Sequence, residues 1–141
     1  MAMGLVALLA ASPAQAGNYA DNGDGTVTDQ TTGLVWEKAG SASGMNWGQA
    51  LAWCEQTTTA GYTDWRLPNK RELEHLADKS RLRPAIDPAF TEPINWYWSS
   101  TTYAGNSANA WGVSFDFGGA GNDKTKGYTG HVRCVRGGPQ S

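Results

Sequence analysis

The sequence has little charge, few cysteines and no long apolar run. Charged residues make up 17% of its 141 positions, below the usual share of about a quarter. Lys and Arg number 11 and Asp and Glu 13, for a formal net charge of −2. This near balance excludes the strongly basic surface of a general nucleic-acid-binding protein. The length allows one ordinary domain and not two.

Glycine and tryptophan are abundant instead. The chain has 18 glycines and 7 tryptophans, and the glycine content is nearly twice the average of about 7%. This composition argues against a helical bundle, a coiled coil and a disordered chain. It predicts a loop-rich domain with short strands, in which most tryptophans belong to the framework and the glycines concentrate in turns and late loops.

The N-terminal residues have the pattern of an export signal. The apolar run Gly4–Ala11 is followed by Ala14 and Ala16, which fit an A-x-A cleavage site. The run is shorter than the roughly 20 residues of a membrane-spanning helix, and no positive charge precedes it. We expect a signal peptide at 1–16, with an apolar strand or helix as the alternative. The protein would then be secreted or periplasmic, with no transmembrane segment, one domain at 17–138 and a tail at 139–141.

Two cysteines, Cys54 and Cys134, lie 80 positions apart. An even count in an exported chain favours one disulfide that closes a long loop, and two buried free thiols are the alternative. No second Cys or His stands at metal-ligand spacing. Asp-rich residues 21–29 depart from a calcium-loop pattern, so no metal site is predicted.

Two helices and several strands follow from local patterns. A hairpin is predicted from strands at 26–28 and 34–36. Asn46 is expected to cap a helix that begins at Trp47, buries Cys54 on its apolar face and stops by Gly61. The Asn69–Glu72 pair has the spacing of a capping box and predicts a second helix from Lys70.

The second half of the chain is predicted to be mainly strands. An aromatic strand is expected at 95–100 and a closing strand at 132–135. At 110–117, Trp111, Val113, Phe115 and Phe117 alternate with small or polar residues. This period of two indicates one strand over the whole stretch.

No catalytic motif is present. His75 and His131 stand in no recognisable nucleophile or base motif, and there is no phosphate-binding loop or dinucleotide fingerprint. Asp116 with Asp64 or Glu92 is the best carboxylate pair, but no pattern brings these residues together. We therefore expect no enzyme activity and no cofactor.

The segment 101–131 has the composition of a ligand-binding surface. Tyr, Trp, Asn and Lys on Gly- and Ser-rich loops are typical of adaptable contacts. Residues 118–141 carry four basic side chains and one acidic one, which favours anionic partners; a solvated hairpin loop is the alternative. The candidate binding residues are Tyr103, Asn106, Asn109, Trp111, Asp116, Asn122, Asp123, Lys124, Lys126, Tyr128 and His131.

Five ordered motifs resemble the DUF1566 family, also called the Lcl C-terminal domain. They are DNGDGTVTD at 21–29, TGLVW at 32–36, DWRLPNKREL at 64–73, YWSSTT at 97–102 and VRCVR at 132–136. The resemblance implies an α+β fold related to C-type lectins and formylglycine-generating enzymes, with two helices and a twisted antiparallel sheet. It also implies a Cys54–Cys134 disulfide from the first helix to the last strand.

The same resemblance implies a binding function. An adhesin member of the family binds sulfated glycosaminoglycans as a trimer behind a collagen-like stalk, but this chain lacks Gly-X-Y repeats, so its oligomeric state stays open. Neither cysteine is placed for the oxidase chemistry of formylglycine-generating enzymes. We expect an exported, non-catalytic module that binds an extracellular glycan, including a sulfated one, or a surface protein. The alternatives are an assembly module of a cell-envelope complex and a variable target of a diversity-generating retroelement.

Overall fold

The computed structural model describes residues 18–91 and 95–138. Within them it has two α-helices and two antiparallel sheets, which confirms the α+β class. The strands form two separate sheets where one twisted sheet was expected. The predicted signal peptide at 1–16, the tail at 139–141 and Glu92 lie outside the described residues.

The first sheet joins the two ends of the domain. It contains β1 (Tyr19–Asp21), β2 (Thr26–Asp29), β3 (Val35–Glu37) and β7 (Val135–Arg136) in that order, and every neighbouring pair is antiparallel. The predicted hairpin is confirmed, because Val27 lies opposite Trp36, and both side chains are buried. The sequence interpretation missed β1.

Helix α1 (Trp47–Gln56) begins where its sequence predicts. The Asn46 side chain accepts a hydrogen bond from the Gln49 amide, and the Gln49 side chain accepts one from the Asn46 amide. This reciprocal pair satisfies two amides of the first turn. The helix ends at Gln56, before the expected stop at Gly61, and a single 3₁₀ turn follows at Thr59–Gly61.

Helix α2 (Lys70–Leu76) has the predicted capping box. The Asn69 side chain accepts from the Glu72 amide at 2.8 Å, and Glu72 accepts from the Asn69 amide at 2.9 Å. Leu73 and Leu76 are buried in the core with Trp36. The helix is thereby fixed in direction, and its first residue, Lys70, lies beside the second sheet.

One strand of the second sheet is shorter than the sequence predicted. It contains β4 (Trp96–Thr102), β5 (Ala110–Ser114) and β6 (Ala120–Gly121) in that order. Beyond Ser114 the chain turns, because the Gly118 amide donates to the Ser114 carbonyl at 2.8 Å and Gly118 has φ of +87°. Phe117 is therefore 60% exposed, and its predicted place in an alternating strand is wrong.

A disulfide joins the two halves of the domain. Cys54 in α1 and Cys134 are bonded, with 5.6 Å between their Cα atoms, so the alternative of two free thiols is wrong. Residues 132–134 are buried but form no strand, which corrects the prediction of a strand from Val132. Val132 and Arg133 bond to loops instead: the Val132 amide donates to Ser41 Oγ at 3.0 Å, and the buried Arg133 guanidinium donates to the Thr91 carbonyl at 2.8 Å.

Candidate ligand-binding surface

The late loops are fixed against each other and against the start of α1. The Lys126 amide donates to the Ala108 carbonyl at 2.8 Å, and the Asn109 side chain donates to the Asn122 carbonyl at 2.9 Å. The Trp47 amide donates to the Lys126 carbonyl at 3.0 Å. The segment that the sequence singled out is therefore an ordered part of the domain surface.

Three lysine ammonium groups lie over aromatic rings in this region. Lys126 Nζ is 4.1 Å from the centre of the Trp47 ring, and Lys124 Nζ is 4.6 Å from that of Tyr128. Such contacts are worth about 0.5–1 kcal/mol at exposed sites, so they restrict the lysines to a few positions. The third pair is Lys70 over Trp111, at 4.4 Å.

These pairs belong to one connected surface. The Trp47 indole donates to the Ser99 carbonyl at 2.9 Å, and the Ser99 hydroxyl donates to the Trp111 carbonyl at 2.8 Å. Tyr103 packs edge-on against Trp111, with 5.6 Å between ring centres. We call this set the lysine–aromatic surface; its members are Trp47, Lys70, Tyr103, Trp111, Lys124, Lys126 and Tyr128.

A polar cleft adjoins the surface at Lys70. Its volume is about 580 Å³, and its lining residues are Asn69, Lys70, Arg71, Glu74, Ser100 and Thr101. Two cations, two hydroxyls and an amide line it, with Glu74 as the one carboxylate among these residues. Lys70 Nζ lies 2.9 Å from Glu74 Oε1, so Lys70 is shared between this carboxylate and the Trp111 ring.

Lys124 and Lys126 differ from Lys70 in their electrostatic surroundings. Among the described residues, no carboxylate oxygen lies within ion-pair distance of either ammonium. Their charge is therefore balanced by ring faces and solvent, although Asp123 is an exposed neighbour in sequence. An incoming anion can therefore pair with either ammonium without displacing a carboxylate of the described residues.

Four other predicted residues have partners outside this set or are exposed. Asn106 Oδ1 accepts from the Ala108 amide at 3.1 Å, and Asn122 is bonded through its carbonyl to Asn109. His131 is half-buried, with Nδ1 2.8 Å from the Ser41 carbonyl and its ring 5.7 Å from that of Tyr97. Asp123 is exposed.

Asp116 is in a different environment from the other predicted residues. Its carboxylate lies 3.3 Å from Arg83 Nη1 in the turn after β5. Asp64, its suggested catalytic partner, accepts two hydrogen bonds from Arg136 at 2.6 and 3.0 Å. This guanidinium holds the pKa of Asp64 below its usual range. Each carboxylate is thus bound to its own arginine.

The sequence interpretation missed Trp47 and all six residues that line the cleft. Lys70, Arg71 and Trp47 lie on the two predicted helices, where no motif marks them as binding residues. Each contacts, or lies beside, a part of the chain far away in sequence, so no local pattern indicates the contact. Ser100 and Thr101 belong to the aromatic strand motif, whose side-chain directions sequence alone does not fix.

Within residues 18–91 and 95–138, no group of three His, Cys, Asp or Glu side chains is arranged to hold a metal ion. No helix in the same part of the chain combines the length and the apolar character that crossing a bilayer requires.

Comparison with known proteins supports the family resemblance. No curated protein matches the sequence. The family model described as "Lcl C-terminal domain" matches residues 25–136. The match begins after β1 and covers both helices, both cysteines and every residue of the lysine–aromatic surface. The chain therefore belongs to the Lcl C-terminal domain family.

Proposed function

We propose that this domain is a non-catalytic, extracytoplasmic module that binds an anionic glycan, such as a sulfated polysaccharide, at the lysine–aromatic surface. The observation that carries the proposal is the placement of Lys124 and Lys126 over aromatic rings, with no carboxylate in ion-pair contact among the described residues. The Cys54–Cys134 disulfide supports an oxidising location outside the cytoplasm.

The chemistry of the surface suits a charged sugar polymer. Sulfate and carboxylate groups accept charge-assisted hydrogen bonds from lysine, which are about twice as strong as neutral ones. Because the Trp47 and Tyr128 rings already restrict the ammonium positions, less side-chain entropy is lost when a ligand binds. The ring surface of Trp47, Tyr128 and Tyr103 that the ammonium groups leave uncovered offers apolar contact to sugar C–H groups.

The adjoining cleft offers partners to both neutral and charged groups of the ligand. Ser100 and Thr101 supply hydroxyls there, and Arg71 supplies a planar guanidinium that can bind an oxyanion through two parallel hydrogen bonds. The whole chain has a net charge of −2, so the attraction comes from this local cluster and not from overall charge. It should weaken as salt shortens the Debye length, which is about 10 Å at 0.1 M.

Binding to immobilised heparin, dextran sulfate and unsulfated dextran tests the proposal. The Lys124→Gln/Lys126→Gln double variant removes both charges and keeps most of the side-chain length. Lys79→Gln is the matched control, because Lys79 is an exposed lysine with no aromatic ring beneath it among the described residues.

We expect the wild type and the Lys79 variant to bind both sulfated polymers and not dextran, with affinity that falls as salt rises. The double variant should bind at least about tenfold more weakly, which corresponds to about 1.4 kcal/mol. Equal losses in the double variant and the control would indicate a general charge effect and refute the site. Failure to bind either sulfated polymer, with capture of one envelope protein, would favour the assembly-module alternative.

A further inference from the structure

Helix α1 presents a second tryptophan at the exposed edge of its buried stripe. Ala50 and Cys54 have no solvent-exposed surface, whereas Trp53 is 47% exposed. The disulfide to Cys134 and the Asn46 cap hold the helix in place. A large, flat apolar side chain is therefore displayed to solvent from a rigid element, which is a favourable base for a binding site.

Among the described residues, the Trp53 ring has neither a cation nor an aromatic ring against it, whereas four other accessible rings each carry a cation. Cations lie over Trp47, Trp111, Tyr128 and Tyr62, at ring-centre distances of 4.1, 4.4, 4.6 and 3.7 Å. Within residues 18–91 and 95–138, neither a cation nor a second aromatic ring contacts Trp53. A ligand that stacks on this ring displaces no protein group.

An open depression of about 250 Å³ lies against the ring, lined by Trp53, Gln56 and Thr57. Gln56 follows Trp53 by three positions and so lies on the same side of the helix. The side-chain amide of Gln56 makes no hydrogen bond with another described residue. The Thr57 hydroxyl lies 3.1 Å from that of Thr59 and keeps further hydrogen-bonding capacity. No charged side chain is among these lining residues.

This combination matches the two kinds of surface on a pyranose ring. The C–H face of a sugar carries partial positive charge and packs against the negative face of an aromatic ring. The hydroxyls at the edge of the sugar can bond to an amide, which offers both donors and an acceptor. Because the lining has no charge, it offers an anionic substituent no cationic partner.

We infer that Trp53, Gln56 and Thr57 form a second sugar-binding site, specific for a neutral pyranose. It shares no residue with the lysine–aromatic surface, so it stands or falls independently of the proposed anionic-glycan function. Contact with one sugar ring buries little surface, so the site should bind single sugars weakly, with Kd on the order of 1 mM or above, and should gain affinity from longer neutral chains.

Titration of the full, disulfide-bonded protein with methyl glycosides of glucose, galactose, mannose and N-acetylglucosamine tests the inference. Tryptophan labelled with ¹⁵N gives one indole N–H resonance per ring, and the resonance missing in Trp53→Phe identifies Trp53. We expect saturable shifts of that resonance with at least one glycoside, and equal affinity at low and high salt.

Three variants separate this site from the lysine–aromatic surface; their affinities are measured by saturation-transfer NMR on the glycoside protons, which does not depend on the Trp53 resonance. Trp53→Ala should weaken binding of the neutral glycoside about tenfold or more, and Gln56→Ala should weaken it several-fold. Lys124→Gln/Lys126→Gln should leave it unchanged while reducing heparin binding. The absence of a saturable shift with all four glycosides would overturn the inference, as would unchanged affinity in Trp53→Ala; neither result affects the test with sulfated polymers.

Discussion

Among the charged residues of α2, we expect Glu72 to contribute most to the stability of the fold. Its carboxylate accepts two hydrogen bonds from Arg66, at 2.8 and 2.7 Å, and one from the Asn69 amide. Its side chain is 12% exposed. Hydrogen bonds to a charged group are worth about 1.5–3 kcal/mol, and loss of a capping bond costs about 0.5–2 kcal/mol. Glu72→Ala should therefore cost about 2–4 kcal/mol.

Glu72→Gln separates the cap from the charge. The amide oxygen can still accept from the Asn69 amide, but the charge that pairs with Arg66 is gone, so we expect a cost of about 1–2 kcal/mol. Glu74→Ala is the control on the same helix. It removes a pair with Lys70 whose side chains are 31% and 36% exposed, and such pairs contribute about 0.3–0.5 kcal/mol.

The contribution of Glu72 should also depend on pH. Burial alone would raise the pKa of Glu72, but the hydrogen bonds from Arg66 and the Asn69 amide outweigh it and hold the pKa below its ordinary value. A carboxyl whose pKa is lowered by folding makes its full contribution to the stability of the folded state when the pH is above its unfolded pKa, which is about 4.3 for Glu. The stabilisation is lost as the pH falls through the lower, folded pKa.

Urea unfolding of the oxidised protein, followed by far-ultraviolet circular dichroism, measures these free energies. The difference between wild type and Glu72→Gln should be constant from about pH 6 to pH 8 and should shrink below about pH 4. Two results would refute the reasoning: a Glu72→Ala cost within about 0.5 kcal/mol of the Glu74→Ala cost, or a Glu72→Gln difference that is unchanged at low pH.

Two further predictions concern the framework. The Cys54→Ser/Cys134→Ser variant opens a bridge between residues 80 positions apart and should lose about 4 kcal/mol in the chain-entropy model; urea unfolding checks this, and a midpoint equal to that of the oxidised wild type would contradict it. Gly112→Ala places its Cβ 2.5 Å from the Tyr97 carbonyl oxygen and should cost about 1–3 kcal/mol by overpacking. Gly127→Ala, whose Cβ meets nothing within 4 Å, should stay within about 0.5 kcal/mol of wild type, and equal melting temperatures for the two alanine variants would contradict the packing argument.

Helix starts are the part of the fold that the sequence predicts best, because capping is local. Asn69 and Glu72 are three positions apart, and their side chains and amides satisfy each other without help from distant residues. The same spacing at Asn46 and Gln49 caps the N-terminus of α1. A reader of the sequence needs only these two pairs to place both helices at their observed first residues.

Strand ends depend on distant partners and turns, and the sequence predicts them poorly. Phe117 continues the alternation of β5, but the left-handed turn at Gly118 ends the strand before it. Val132 has the composition of a strand residue, yet its amide bonds to the Ser41 side chain. Val132 is buried, as a core strand residue would be, but it does not belong to a strand.

The candidate surface shows the same limit. Lys124, Lys126 and Tyr128 belong to one short segment, so composition alone singled them out. Lys70 and Trp47 complete the surface from two helices, and only the folded chain brings them to it. The resemblance to the family rests on the order of the motifs along the chain, and this order does not predict which side chains are in contact.

The shared excess of glycine and tryptophan has a physical cause that composition did not reveal. The sequence places most glycines in turns, and Gly118 is one of these. Gly112 and Gly130 have a different role, because a Cβ at either position would collide with the Trp96 ring. At Gly130 that Cβ would also lie 2.9 Å from Trp98 Nε1. Large indoles packed between short strands need neighbouring backbone without side chains, so part of the glycine excess is a consequence of the tryptophan framework.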